Sequence, residues 1–438
     1  MDPMKIDKEA ELGAQEPSTS VTVSETPSDT ADEIVVPDGG FEAWRTIAGA
    51  WLVLLGTFGY VYTFGVYEDF YVREYLTNHS PSSVSWIGSF QLMMPFLCGP
   101  ISGKIFDDGG FHVLEIGGGL IFTFSVFMLS LAKPGQYYQI FLAQAVGMGI
   151  GLGLTFLPTM GIVVHHFKRR RGLASGIALS GSSVGATIFP IMFNNLVPKL
   201  GFGRTIRVTG AIIPPCLVIG NCLMRTRLPP RSKRPPGPPP DIKSFFSDAP
   251  YMWAVLGMFF SLLGLYFPII YIQLFSVQHK VDSTLAFYSV AMMNIAGGFI
   301  RILANHLGDV FGPFNAQLTC SICCGAIIWA MLSIHDAASL VIISLLYGAF
   351  SSAWLSLAFA CFASLARKPE EVGARTGVAL ALVSTGVLVS APIQGALLKD
   401  SFVWINAVGF ATSVMFAGAG CLVITRTLRA RQTGNWRA

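Results

Sequence analysis

The stretch Arg225-Thr-Arg-Leu-Pro-Pro-Arg-Ser-Lys-Arg-Pro-Pro-Gly-Pro-Pro-Pro240 is basic and proline-dense. It builds neither a membrane helix nor a packed core. The chain on either side is of the opposite kind. Of 438 residues, 52% are hydrophobic and 12% charged, and the mean hydropathy is +0.57. Soluble globular chains carry about 25% charged residues, so a water-facing surface of ordinary size is excluded. Apolar runs recur along the chain, each long enough to cross a hydrocarbon layer about 30 Å thick. They predict spans at 44–68, 83–105, 112–132, 137–164, 172–194 and 205–224 before the linker, and at 249–275, 285–307, 313–334, 338–365, 372–395 and 402–424 after it. The expected fold is an all-α membrane protein with twelve transmembrane helices in two six-helix bundles. The bundles cover 38–224 and 247–425, with a linker at 225–246 and a short tail at 426–438. Residues 1–37, rich in Ser, Thr, Glu, Asp and Pro, read as a disordered tail.

Basic residues set the expected orientation. Lys168, Arg169, Arg170 and Arg171, the linker, Arg367, Lys368 and Arg375, and Arg426, Arg429, Arg431 and Arg437 collect on one side. That side is assigned to the cytoplasm, with both termini, and the plasma membrane is the expected location. Asn78-His79-Ser80 then falls in the first outer loop as a glycosylation acceptor. His165 and His166 read as cytoplasmic anchors beside the basic cluster. The net charge of +4 is too small and too scattered to argue for nucleic acid. Eight cysteines lie in or beside apolar runs; Cys320, Cys323 and Cys324 read as small packing residues rather than metal ligands. Gly181-Ser182-Ser183-Val184-Gly185 matches a hydrolase pattern, but that chemistry needs a strand-to-helix elbow, and this string lies in a span. No cofactor or enzymatic activity is expected.

The two sides of the linker echo each other. Gly103-x-x-x-Asp107-x-x-Gly110 follows span two and Asn305-x-x-x-Asp309-x-x-Gly312 follows span eight. Twelve spans divided in this way resemble the major facilitator superfamily, in which two bundles rock about a central site. Asp107 and Asp309 are then read as gating elements. Pro37-Asp38-Gly39-Gly40-Phe41-Glu42-Ala43-Trp44 makes a turn with an interfacial tryptophan before span one. It resembles the opening signature of the monocarboxylate porter family, and His166-Phe-Lys-Arg-Arg-Arg-Gly-Leu-Ala-Ser-Gly-Ile-Ala-Leu-Ser-Gly181 resembles its second. Asp38, Gly39, Gly40, Trp44, Lys168, Arg169 and Arg170 are accordingly structural positions. The glycines and serines of the second string also supply a small-residue face for close helix approach. Tyr271-Ile-Gln-Leu-Phe-Ser276 and Pro392-x-x-Gly395 are similar to fungal members.

An ionised side chain within a span costs about 2.5–3.5 kcal/mol, so it is kept where a cavity or partner receives it. Arg301 in span eight is the clearest case, suited to a carboxylate through paired hydrogen bonds, with snorkelling to the cytoplasmic interface as the alternative. The resemblance implies the carboxylate-binding role for it. It also implies an Asp one turn earlier and a Lys in span one; this chain has Gly297 at the first position and no Lys between Arg45 and Glu68. Asn294, two turns from Arg301, and Tyr62, Tyr266 and Tyr271, in spans one and seven, complete the expected substrate site. Glu68 and Asp69, at the outer end of span one, are candidates to carry a coupling proton, against the preferred reading of a solvated loop mouth. Pro158, Pro214-Pro215, Pro268 and Pro392 are expected to kink their helices. The function expected is secondary transport of a small organic acid or related metabolite by alternating access, with proton coupling. The alternatives are secondary-metabolite efflux and a nutrient sensor that does not transport. The partners expected are a small molecule and the lipid bilayer, with an accessory subunit left open.

Overall fold

A computed structural model of the chain describes residues 38–168, 170–227, 241–367, 371–398 and 403–436. The 1–37 tail, Arg169, most of the proline-rich linker, Lys368 and Arg437 lie outside the described residues. Every described element is helical, and twelve helices are long and apolar enough to span a membrane. They are α1 (Phe41–Tyr75), α2 (Ser82–Asp107), α3 (Phe111–Leu129), α4 (Tyr137–Gly161), α5 (Arg171–Leu200), α6 (Phe202–Leu223), α7 (Ala249–Gln278), α8 (Thr284–Phe311), α9 (Pro313–Ser333), α10 (Ala337–Ser364), α11 (Val372–Leu398) and α12 (Trp404–Thr433). In hydrocarbon each backbone polar group must be satisfied within its own segment, and helices do this. Large apolar side chains such as Val113, Leu120, Phe124 and Phe299 remain 64–74% exposed on the outer surface, as lipid-facing positions do. The helices α1, α5 and α12 run several residues past their apolar cores. Their polar ends stay helical through contacts with neighbours, whereas α8 and α10 start on side-chain caps.

Those caps come from the loops. Asp282 accepts a hydrogen bond from the Leu285 amide at 2.9 Å at the start of α8. Asp336 and Ser339 form a reciprocal box at the start of α10. The Ser339 hydroxyl and amide together hold the Asp336 carboxyl below the usual carboxylate range.

Helix breaks fall where the cavity needs them. α1 is interrupted at Thr57 and again at Tyr62, and α7 at Tyr266, just before Pro268. Pro214-Pro215 follow a break in α6, whereas Pro158 and Pro392 sit inside unbroken helices. Breaks thus accompany the prolines of α6 and α7.

α1 packs on α5 and α6, and α3 on α4; α7 packs on α12, and α8 on α10. The first six and last six spans meet along two seams, α5 with α8 and α2 with α11. The α5 small-residue face makes the close contacts read from sequence: a Cβ at Gly181 would stand 2.2 Å from the Trp51 carbonyl oxygen. Helix alternation gathers the described basic clusters on one face with Asp38 and Trp436, here called the basic face. Arg375 there is not a solvated anchor. It is 1% exposed, with Nη1 2.6 Å from Asp248 and Nε 3.1 Å from Glu371. Its guanidinium lies 4.7 Å from the ring centre of Phe245, which belongs to the short linker helix Ile242–Phe246. His165 and His166 are likewise buried; His166 Nε2 lies 2.8 Å from the Arg225 carbonyl oxygen.

Candidate functional site

The breaks in α1 and α7 place two tyrosines at the centre. Tyr62 lines two cavities, of about 570 and 480 Å³, and stands between them. The larger, toward the basic face, is walled by Phe58, Phe96, Phe156, Phe359, Trp354 and aliphatic side chains, with Arg301 as its charged group. Phe156 of α4 meets Phe359 of α10 edge-on at 5.3 Å, so the aromatic wall crosses between the two halves. The smaller, toward the opposite face, holds Tyr266, Ser85, Ser89 and Ser390 among apolar residues.

Arg301 is 3% exposed. Nη1 donates to the Leu179 carbonyl at 3.1 Å and to Ser182 Oγ at 2.7 Å, both on α5. The Tyr62 side chain is near enough to the guanidinium to interact with it electrostatically, and both line the larger cavity. No carboxylate pairs with it among the described residues, and its Nε is buried without a partner. Arg301 therefore ties α8 to α5 and still faces the larger cavity with unspent donor capacity. The Tyr266 hydroxyl is buried and has no hydrogen-bond partner among the described residues. Tyr271 reaches the Ala391 carbonyl oxygen at 3.4 Å and lines neither cavity. Asn294 also lines neither cavity; its Nδ2 bonds the Val290 carbonyl of its own helix at 2.9 Å. Of the five expected binding residues, the structure brings Arg301, Tyr62 and Tyr266 together and sets Asn294 and Tyr271 aside.

Gly297 stands where the resemblance implies an Asp. A Cβ there would lie 2.1 Å from Ser352 Oγ, so α8 and α10 leave no room for a carboxylate. Ser182 was missed because its pattern pointed to hydrolysis; its role emerges only when α8, 119 residues away in sequence, docks on it. Glu68 corrects the loop-mouth reading: it is 9% exposed and bonded to Ser85 Oγ, while Asp69 pairs with the exposed Arg73.

The two sequence signatures dock on each other at the basic face. Asp38 Oδ1 accepts from the Lys168 amide at 2.6 Å and more weakly from the Arg170 amide at 3.4 Å, and Trp44 meets Phe167 edge-on at 5.2 Å. The turn needs Gly40, whose φ is +98°. Lys168 and Arg170 are exposed. The Asp309 carboxylate faces the start of α5, both oxygens 2.6 Å from where a Gly172 Cβ would stand, and the helix dipole there favours an anion. Asp107 approaches the start of α11, its Oδ2 3.5 Å from where a Gly373 Cβ would stand. Asn78 is exposed near the opposite face, and its Nδ2 lies 3.4 Å from the Gly135 carbonyl oxygen.

Two groups of six membrane helices closing on a central cavity, with carboxylates set on helix starts across the seams, define a polytopic membrane carrier. The chain belongs to the Major Facilitator Superfamily, whose pattern matches residues 46–368. It is 35% identical over 388 residues to the MFS-type transporter dbaD of Emericella nidulans, covering 88% of this chain and 86% of that one. It is also 35% identical over 384 residues to the aspyridones efflux protein apdF of the same organism, covering 87% and 77%. The crystal structure of the human organic anion transporter MFSD10 (TETRAN) matches with a TM-score of 0.63 over 88% of this chain and 99% of that one; at 14% identity this shows the shared fold alone. The relatives bear transporter and efflux names rather than the monocarboxylate name that the two signatures suggested.

Proposed function

We propose that this transporter exports a multi-ring, largely apolar metabolite carrying one acidic or hydrogen-bond-accepting group. The observation that carries the proposal is the larger cavity, a space of about 570 Å³ with aromatic walls and a single guanidinium. The aromatic walls stack on rings, and Arg301 with Tyr62 receives the polar group. Tyr266 remains part of this proposed site; Asn294 and Tyr271 belong to its surroundings. The efflux name of the aspyridones relative supports the outward direction. The basic face is taken as cytoplasmic on the positive-inside rule, with the plasma membrane as location. Small-monocarboxylate transport is the second reading, favoured by Arg301 and weakened by the occupied space at Gly297 and the absence of Lys between Arg45 and Glu68.

The test is movement of a radiolabelled multi-ring phenolic acid, lactate and riboflavin in proteoliposomes, with and without a proton gradient. The phenolic acid is expected to accumulate against its gradient while lactate does not. Arg301→Ala should weaken apparent affinity about ten- to hundredfold, the loss of a charged hydrogen bond worth about 1.5–3 kcal/mol. Movement of lactate alone would favour the second reading. Saturable binding without movement of any compound would favour a sensor.

A further inference from the structure

Glu68 is a buried acid with few partners. It lies on the outer part of α1, more than nine-tenths covered. One carboxyl oxygen bonds Ser85 Oγ of α2; the other is buried with no hydrogen-bond partner among the described residues. The Tyr271 hydroxyl of α7 acts on both Glu68 and Ser85 and reaches the Ala391 carbonyl of α11 at 3.4 Å. This group therefore joins α1 and α2 to α7 and α11 beside the smaller cavity, which Ser85 and Ala391 line. It sits on the membrane face opposite the basic face.

Among the described residues the surroundings supply no cation. On its own helix Glu68 feels Asp69, an anion already paired with Arg73. From α7 it faces the neutral Tyr271, and His279 at the end of that helix is turned onto its own Phe275, with ring centres 4.0 Å apart. α2 presents Ser85, and α5 presents Phe193 to the neighbouring Tyr67 and Phe70. An ionised carboxylate held by one hydroxyl in so dry a place is costly, whereas the neutral acid is tolerated.

We propose that Glu68 binds the proton that controls this face: the face closes on a protonated Glu68 and opens, admitting water, when Glu68 loses its proton. The proton leaves to, or arrives from, the solution on that side, and no other group changes charge. This conformational step does not rest on the export reading; for an exporter to use the proton it must in addition be released on the other side of the membrane once this face has closed. Because the open face binds fewer protons, rising pH favours opening. The open-to-closed ratio changes by up to about tenfold per pH unit while one proton is released.

Hydrogen exchange of the full chain in lipid nanodiscs, without cargo, tests this across acid to alkaline pH. Exchange in 62–75 and 267–278 is normalised to α9 of the same molecule. The wild type should lose protection in both segments as pH rises. Glu68→Gln should stay protected throughout, Glu68→Asp should keep the pH response, and Glu115→Gln, which removes the buried acid that accepts from Thr159 at 2.7 Å, should behave as wild type. A flat wild-type response, an unchanged response in Glu68→Gln, or a response lost in Glu115→Gln would overturn the proposal. If Glu68→Gln does not fold, a flat response in the wild type or in Glu68→Asp overturns it. Failure here leaves metabolite export standing, and failure to move any cargo leaves the proton gate standing.

Discussion

Counting back eight residues from Asp309 in α8 reaches Arg301; counting back eight from Asp107 in α2 reaches Gly99. The partner helices repeat in step, with Gly172 and Gly176 on α5 matched by Gly373 and Gly377 on α11. Both seams therefore use one backbone plan, an acid at the end of one helix against a glycine-bearing helix start. They differ in how tightly they close and in what they carry. On the α5–α8 seam a Cβ at Gly176 would stand 3.0 Å from the Arg301 carbonyl oxygen and from Ile302 Cα. On the α2–α11 seam a Cβ at Gly377 would have 3.6 Å to Pro100. The tight seam holds Arg301, together with Asn305, whose Nδ2 bonds Ser356 Oγ at 2.7 Å. The looser seam carries glycines at both matching positions. A repeated fold thus supplies the seam geometry twice, while the buried cation Arg301 is present in one copy.

The strongest challenge is to place a second charge on α8. Gly297→Asp combines overpacking, about 1–3 kcal/mol, with an unpaired buried carboxylate, about 2.5–3.5 kcal/mol. The expected outcome is loss of most folded protein, read as the monodisperse fraction after detergent extraction. Full yield would show that α8 and α10 can separate. A smaller effect compares matching glycines. Gly176→Ala should lower the melting midpoint by an overpacking cost of about 1–3 kcal/mol, offset in part by the helix preference of Ala, about 1 kcal/mol. Gly377→Ala, in ordinary contact, should be neutral or stabilising by up to that same amount, about 1 kcal/mol. Equal shifts would erase the distinction between the seams. The smallest effect concerns the acids. Asp309→Asn and Asp107→Asn each remove a charge from a helix start, worth about 0.3–1 kcal/mol. Amide exchange in the first turn of α5 should rise roughly two- to fivefold in the first variant, and less in the first turn of α11 in the second.

Much of this was legible along the chain because membrane spans are governed by local composition. The ends of α1, α5 and α12 were not, since polar residues such as Arg73, Glu74 and Arg429 remain helical through contacts: Arg429 Nη2, for instance, donates to the Ser364 carbonyl at 2.8 Å. Arg301 stood out as a lone charge in an apolar run. Asn294 shared its helix face by periodicity, but a helix has neighbours on several sides, and the sequence does not say which one bounds a cavity. The role of Ser182 and the burial of Glu68 were hidden for opposite reasons. Ser182 fitted a familiar pattern with the wrong backbone, and Glu68 lay near a charged loop although α2 and α7 cover it.

By itself the sequence determined the membrane-spanning class, the division six and six, the repeated acid–glycine elements and the one cation within α8. Each follows from composition or spacing over a few turns, where desolvation of the backbone and of charge leaves few alternatives. Tertiary structure decided which donor of Arg301 is committed to Leu179 and Ser182, why Gly297 excludes a carboxylate, how Asp38 joins the two signatures, and where Glu68 is buried. Those outcomes depend on distances between helices far apart in the chain, which only packing defines.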